Sequence, residues 1–178
     1  MNLVKSQDYF NPIDVKSRCH IIGCGSVGST VAELLVRLGI TKISLYDFDV
    51  VSAHNLANQM FINADIKRRK VDAVKDMLCA INPEAAHDIS TYPEGWTPDT
   101  RLSGYIFLCV DNIDLRREIA TKNKPNQSIK AMFDFRTRLE DAQHYAADWK
   151  DSRMVDNFIR SMDFSHEEAK ASTPVTAC

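Results

Sequence analysis

Apolar and polar positions along the chain follow two periods that alternate in a regular order. Residues 18–23 (Arg-Cys-His-Ile-Ile-Gly) are a short apolar run closed by glycine, which predicts a buried strand. Val31, Leu34, Leu35 and Leu38 then recur at helical spacing and form one apolar face. Gly39 stands where the C′ glycine of that helix belongs. Residues 42–46 predict a second strand, closed by Asp47. Residues 48–66 show no clear period and are rich in Asn, His and Gln. A loop that long in a compact domain points to function. Val71, Val74, Leu78 and Ile81 predict a second helix, stopped by Asn82-Pro83. Residues 105–110 are continuously apolar, as in a central strand covered on both faces. Asp111-Asn112 can cap a helix reaching about Lys122, and residues 129–135 predict another strand.

Strands and helices in strict alternation predict an α/β fold. It is Rossmann-like and doubly wound, a mostly parallel sheet with helices on both faces. Ligands of such sheets bind at the carboxyl ends of the strands. Gly23, Asp47 and Asp111 all follow strands. Beyond Arg138 the pattern is weaker. Residues 153–162 read as a helix with Val155, Phe158, Ile159 and Met162 on one side, and residues 166–171 as polar and exposed. Residues 92–100 read as a turn-rich surface loop. With no internal repeat and no linker, residues 1–178 read as a single nucleotide-binding domain.

Composition narrows the classes. Hydrophobic residues are 44%, charged residues 26% and the net charge is −2, so neither a nucleic-acid coat nor a membrane-surface binder is expected. No apolar run approaches the ~18 residues of a membrane span. Residues 1–10 lack the apolar stretch of a secretory signal. Five cysteines, an odd number without tight spacing, argue against a disulfide scaffold and for a reduced, cytoplasmic setting. Cys24, Cys79 and Cys109 read as small buried hydrophobes.

Gly23-Cys24-Gly25-Ser26-Val27-Gly28 fits G-x-G-x-x-G between a strand and a helix. The glycines give a tight turn, close backbone approach of phosphate, and helix–strand contact. The helix N-terminus supplies the anion site. Asp47 can accept hydrogen bonds from ribose hydroxyls. This motif alone leaves NAD, FAD, S-adenosylmethionine and ATP open.

Residues 47–59, Asp-Phe-Asp-Val-Val-Ser-Ala-His-Asn-Leu-Ala-Asn-Gln, resemble the D-x-D-x-V-x-x-x-N-L-x-R-Q stretch of the ThiF/MoeB family, adenylating enzymes related to ubiquitin-activating enzymes. Lys70, Ile81-Asn82-Pro83 and Asp111-Asn112-x-x-x-Arg116 match further blocks of that family in the right order. The resemblance implies ATP-dependent adenylation of the C-terminal glycine of a small ubiquitin-like or sulfur-carrier protein, with Mg²⁺. By analogy Asp47 holds the ribose, and Asn55, Gln59 and Lys70 contact phosphates. Asp111 helps bind Mg²⁺, Asp49 orients the loop or a metal-bound water, and Arg116 braces the fold. Taken alone, Lys67-Arg68-Arg69-Lys70 reads as a solvated basic run, and Asp111 as a helix cap. Homodimers are common in the family.

The chain departs from the family pattern in four places. Asn58 stands where the family has an arginine, and Arg68, Arg69 or a partner chain is expected to compensate. Only Lys5 and Lys16 precede Arg18 as basic residues, so the arginine that relatives extend into a neighbouring site has no counterpart. No C-x-x-C pair is present, so no structural zinc is expected. The sequence stops at Cys178, where relatives continue. The segment 173–178 resembles the one in which some relatives carry a thioester-forming cysteine, against the alternative of an incidental thiol. Two other readings stand beside adenylation. One is a catalytically impaired binding or scaffold module. The other is an NAD-dependent oxidoreductase, which leaves Asn55, Gln59, Lys70 and Asp111 without work.

Overall fold

A computed structural model describes residues 2–4, 8–137 and 142–171. Its strands are β1 (Cys19–Ile22), β2 (Ile43–Tyr46), β3 (Ser90–Tyr92), β4 (Gly104–Leu108), β5 (Ile129–Thr137) and β6 (Ala142–Asp148). Its α-helices are α1 (Ser26–Arg37), α2 (Lys70–Ile81), α3 (Ile113–Lys122), α4 (Ser152–Arg160) and α5 (His166–Ala171). The strands form one sheet in the order β3-β2-β1-β4-β5-β6. All neighbours are parallel except β5 and β6. Among the described residues no helix is long and apolar enough to cross a membrane.

The pleat sorts each strand between two cores. Cys19 and Ile21 of β1, with Ile43 and Leu45 of β2, pack under α1 and α2 through Ala32, Val36, Val71, Val74 and Leu78. Ile22, Tyr46, Ile106 and Leu108 face the other way, toward Ile113 and Ile119 of α3 and Val155 and Phe158 of α4. The sheet is therefore covered on both faces, as the alternating pattern predicts.

The chain lays β2 and β3 on one side of β1, then crosses to lay β4 and β5 on the other. The winding reverses between β1 and β4, which opens a crevice at their carboxyl ends. Register makes that edge level. Ile22 pairs with both Tyr46 and Leu108, so Gly23, Asp47 and Cys109 leave the sheet side by side.

Four expectations need correction. The core-facing stripe of α1 is not the expected one: Leu34 and Leu38 are exposed, Val31 and Leu35 are half-buried, and Ala32 and Val36, one turn apart, carry the contact with the sheet. Residues 92–100 are not merely a surface loop: Tyr92 ends β3, and Trp96 is buried in the second core. The apolar run 105–110 is not strand throughout. β4 ends at Leu108, and Cys109 and Val110 turn away where the backbone of Gly23 crosses them. Cys24 is buried, but Cys79 and Cys109 are only half-buried. β6 is an addition that patterning missed, because its residues are mostly exposed and few are strand formers.

Arg116 braces the end of β4. It pairs with the fully buried Asp134 of β5 and donates to the carbonyls of Leu108 at 3.1 Å, Val110 at 2.7 Å and Phe135 at 2.8 Å. Arg136 also binds Asp134 and carries the link to Ser161, beyond α4. Arg116→Ala leaves the buried Asp134 with Arg136 alone and deprives several carbonyls of their donor, so a loss of about 3 kcal/mol in urea unfolding is expected. Arg37→Ala, which breaks an exposed pair with Glu33, is expected to cost less than about 1 kcal/mol.

His20 of β1 is buried and shares a 2.9 Å hydrogen bond with the Tyr46 hydroxyl. Burial, helped by the charge of Arg18, pushes its pKa down to about 4. An unfolded histidine titrates near 6.5, so the unfolded chain binds the proton first as pH falls. The contribution of His20 is complete above about pH 6.5 and is lost toward pH 4. Urea midpoints from pH 7 to 5 are expected to fall less steeply for His20→Gln than for the parent chain, by roughly 1–2 kcal/mol at pH 5.

Candidate functional site

The glycine loop holds the crevice open by lacking side chains. Gly23 has φ +96°, and a Cβ there would meet backbone atoms of Cys109 and Val110 at 2.8 Å. A Cβ on Gly28 would lie 1.8 Å from the Gly23 carbonyl oxygen, so α1 rests directly on the turn. Gly25 differs: a Cβ there would meet nothing nearer than the Gln59 amide at 3.9 Å. Gly25 is also the N-cap of α1 and provides no side-chain cap, and no acidic residue sits in the first turn. The helix therefore presents its positive end to the space before Gly25.

That space is a cavity of about 350 Å³. Gly23 and Gly25 line it from the first turn, Asp47 and Asp49 from the end of β2, and Asn55 and Gln59 from the following loop. Lys70 lines it from the start of α2 and Asp111 from the end of β4. Eight residues singled out in the sequence thus share one wall. Ser26 and Gly28 do not line it. Ser26 opens α1, and Gly28 lets the helix pack. Cys178 lies outside the described residues.

The 48–70 segment owes its shape to its own ends. Val51 accepts from Lys67 N–H and donates to the Arg68 carbonyl, both at 2.8 Å, and Lys70 N–H donates to the Asp49 carbonyl at 3.0 Å. Val51 and Phe61 anchor the loop in the core. This closure sets Lys70 beside Asp49, with Nζ 2.9 Å from Oδ2. The Lys70 side chain is 8% exposed, so it is not part of a solvated basic face. Its neighbours are committed elsewhere: Arg68 pairs with Asp65 and Asp76, and Arg69 donates to the Phe48 carbonyl at 3.2 Å.

Asp47 accepts the Cys24 N–H at 2.7 Å and the Asp49 N–H at 2.8 Å. Burial nevertheless holds its carboxyl above the usual aspartate range, although those two donors and Lys70 pull the other way. Asn55 is buried, and its Oδ1 accepts from both the N–H and the hydroxyl of Ser52. Asp111 is exposed and is not the helix cap: Asn112 Oδ1 takes the Leu115 N–H at 3.1 Å. Burial raises the Cys24 thiol well above its ordinary value, which disfavours a thiolate there.

Among the wall residues that sequence reasoning missed are Phe48, His54, Trp96 and Cys109. A tryptophan inside a turn-rich stretch was the available signal for Trp96. The others carried none.

The wall fits a nucleotide. Gln59 Oε1 is buried with no hydrogen-bond donor among the described residues, the space before Gly25 is a cradle that a side chain would narrow, and α1 points its open end there. Among the described residues no three carboxylate, histidine or cysteine side chains cluster to hold a metal alone. Mg²⁺ is commonly held by one or two carboxylates together with ligand phosphates, which Asp111 suits.

Comparison with known proteins finds relatives for most of the chain. A model of the ThiF family matches residues 15–132. The ubiquitin-like modifier-activating enzyme 5 of Rattus norvegicus is 30% identical over 116 residues, covering 57% of this chain and 29% of that protein. The chain spans about a third or less of the length of such curated relatives. Among solved structures, E. coli tRNA N6-threonylcarbamoyladenosine dehydratase TcdA in complex with ATP superposes with a TM-score of 0.62 at 22% identity, over 71% of this chain and 56% of that one. PaaA superposes with a TM-score of 0.59 at 26% identity, over 70% of this chain and 39% of that one.

The two glycines make separable claims. Gly28→Ala is expected to cost about 3 kcal/mol or more in urea unfolding, because the contact is backbone against backbone. Gly25→Ala, at an ordinary φ of −77°, is expected to cost about 1 kcal/mol or less.

Proposed function

The chain belongs to the ThiF family, and from that premise we propose that it adenylates the C-terminal carboxylate of a small ubiquitin-like or sulfur-carrier protein with ATP and Mg²⁺. The observation that carries this reading is the convergence of Asp47, Gln59, Lys70 and Asp111 on one cavity before an uncapped helix N-terminus. The name of the rat relative and the ATP complex of TcdA support it. A nicotinamide-dependent reading uses the glycine turn and Asp47 but gives Lys70 and Asp111 no task.

In the proposed reaction a carboxylate oxygen of the carrier forms a bond to the α-phosphorus of ATP. The bond from that phosphorus to the bridging oxygen breaks, and pyrophosphate leaves with the electron pair. Asp47 accepts from the ribose hydroxyls. The amides opening α1, with Lys70 and Gln59, face the phosphates, where charge accumulates as pyrophosphate departs. Lys70 arrives already oriented by Asp49, so little ordering remains at the reactive step. Asp111 supplies a carboxylate for Mg²⁺, whose chemistry here is to neutralise phosphate charge. Phe48, Val50, Met60 and Ile62 are exposed on the same loop and offer apolar contacts for the carrier or for a second protomer. In a subsequent step the Cys178 thiolate would attack the acyl carbon of the adenylate, forming a thioester as the acyl–phosphate bond breaks and AMP leaves.

The test is ATP–pyrophosphate exchange with a carrier protein ending in glycine, together with calorimetry of MgATP binding. Lys70→Ala is expected to lower exchange about 100-fold or more while leaving the unfolding midpoint near that of the parent. Asp111→Ala is expected to abolish Mg²⁺-dependent binding. Binding of ATP without exchange for any carrier favours the impaired scaffold reading, and stabilisation by NAD but not ATP favours the oxidoreductase.

A further inference from the structure

The cavity wall offers a polyphosphate few positive partners. Three carboxylates, Asp47, Asp49 and Asp111, line it against the single ammonium of Lys70. That ammonium is already paired with Asp49. A triphosphate entering this wall meets like charge, which Mg²⁺ offsets only in part. Asn58, where the family pattern has an arginine, is exposed and does not line the cavity. Of the groups expected to compensate, Arg68 is held by Asp65 and Asp76 and Arg69 by the Phe48 carbonyl.

His54 does line the cavity. It stands in the 3-10 turn Ala53–Ala57, one residue before the buried Asn55. The Ser52 hydroxyl donates to Asn55 Oδ1 at 2.8 Å. The ring nitrogens of His54 lie 3.1 and 3.2 Å from that oxygen, nearly equidistant, so the oxygen sits over the ring face and neither N–H is directed at it. The same hydroxyl therefore fixes Asn55 and packs against one face of the imidazole. A second N–H exists only on the charged ring. A phosphate oxygen beside the ring favours that charged form.

We propose that His54 contacts the polyphosphate of the bound nucleoside triphosphate as an imidazolium whose N–H groups donate to phosphate oxygens. It restores part of the positive charge that the wall lacks. Binding then draws a proton onto His54, in a wall whose other charged groups are Asp47, Asp49, Asp111 and Lys70. This inference rests on the adenylation reading and goes beyond it in naming the side chain that completes the phosphate site.

The experiment is calorimetry on the full chain, in two buffers of different ionisation enthalpy, for MgATP and for adenosine. The parent, His54→Gln and His54→Arg are compared. His54→Gln is expected to weaken MgATP binding about 10-fold or more, the scale of a charge-assisted hydrogen bond. Adenosine binding is expected to stay within about two-fold, since no phosphate contact is lost. His54→Arg is expected to retain MgATP affinity to within a few-fold, because guanidinium keeps the charge and the donors. Proton uptake is expected in the parent and absent in both variants. Equal MgATP affinity of parent and His54→Gln, with no difference in proton uptake, overturns the role of His54 and leaves the adenylation reading standing. Loss of MgATP affinity in His54→Arg as severe as in His54→Gln, with adenosine binding intact, overturns the charge argument. A parent chain that binds no MgATP overturns both readings at once.

Discussion

Everything at the carboxyl edge depends on how closely two backbones pass there. β1 and β4 end at the same level, and the chain leaving one must cross the chain leaving the other. A Cβ on Gly23 would stand 2.8 Å from the Cys109 carbonyl carbon, a distance that real side chains do not hold. Gly28 repeats the condition one turn later, with the Gly23 carbonyl in its place. Only with both side chains missing does α1 begin directly above the crevice. Its open end then faces the same space as Asp47 and Asp111. A bulkier turn would push the helix away, and the field of its terminus fades within about a turn.

The second determinant is the closure of the 48–70 segment on itself. Hydrogen bonds between its two ends turn an irregular stretch into a wall. They also bring a buried ammonium into contact with a carboxylate, which offsets the cost of removing Lys70 from water. Asp47 is the opposite case. Its carboxyl is buried, two backbone donors face it, and burial still outweighs them. Strain of this kind is held at sites built for a ligand, where a bound group supplies the missing donors.

The sheet and its two covered faces were legible because each central strand and helix announces itself by period. Ile21, Leu78 and Ile106 occupy the positions that patterning assigns to the core, whereas on α1 Leu34 and Leu38 of the expected face are exposed and Val36 is buried in their place. The edges were not legible. Ser90–Tyr92 is three residues long, and Ala142–Asp148 is largely exposed. Such strands are specified by pairing with a neighbour rather than by burial of their own side chains. The glycine motif pointed to Gly23 and Asp47, and the family resemblance to Lys70 and Asp111, all of which line the cavity. Trp96 escaped because it stands in a turn-rich stretch without a period, and His54 because its place in the wall comes from closure of the 48–70 segment. No local spacing encodes a contact that forms only once Val51 meets Lys67 and Arg68.

The site also shows a division of labour between sequence neighbours. Asn112 caps α3, and this leaves Asp111 exposed to the cavity. Gly28 carries the helix contact, and this leaves Gly25 with open space before it. Arg68 and Arg69 secure the loop, and this leaves Lys70 on the wall. The reason is common to all three. An element end must satisfy its own backbone and packing before any side chain is free to face a ligand. A motif read as one functional unit therefore contains residues of both kinds, and only the geometry separates them. By the same logic the Ser52 hydroxyl bonds Asn55 and offers the face of His54 only a packing contact. A substitution at Ser52 acts on both at once, whereas one at His54 acts on the cavity alone.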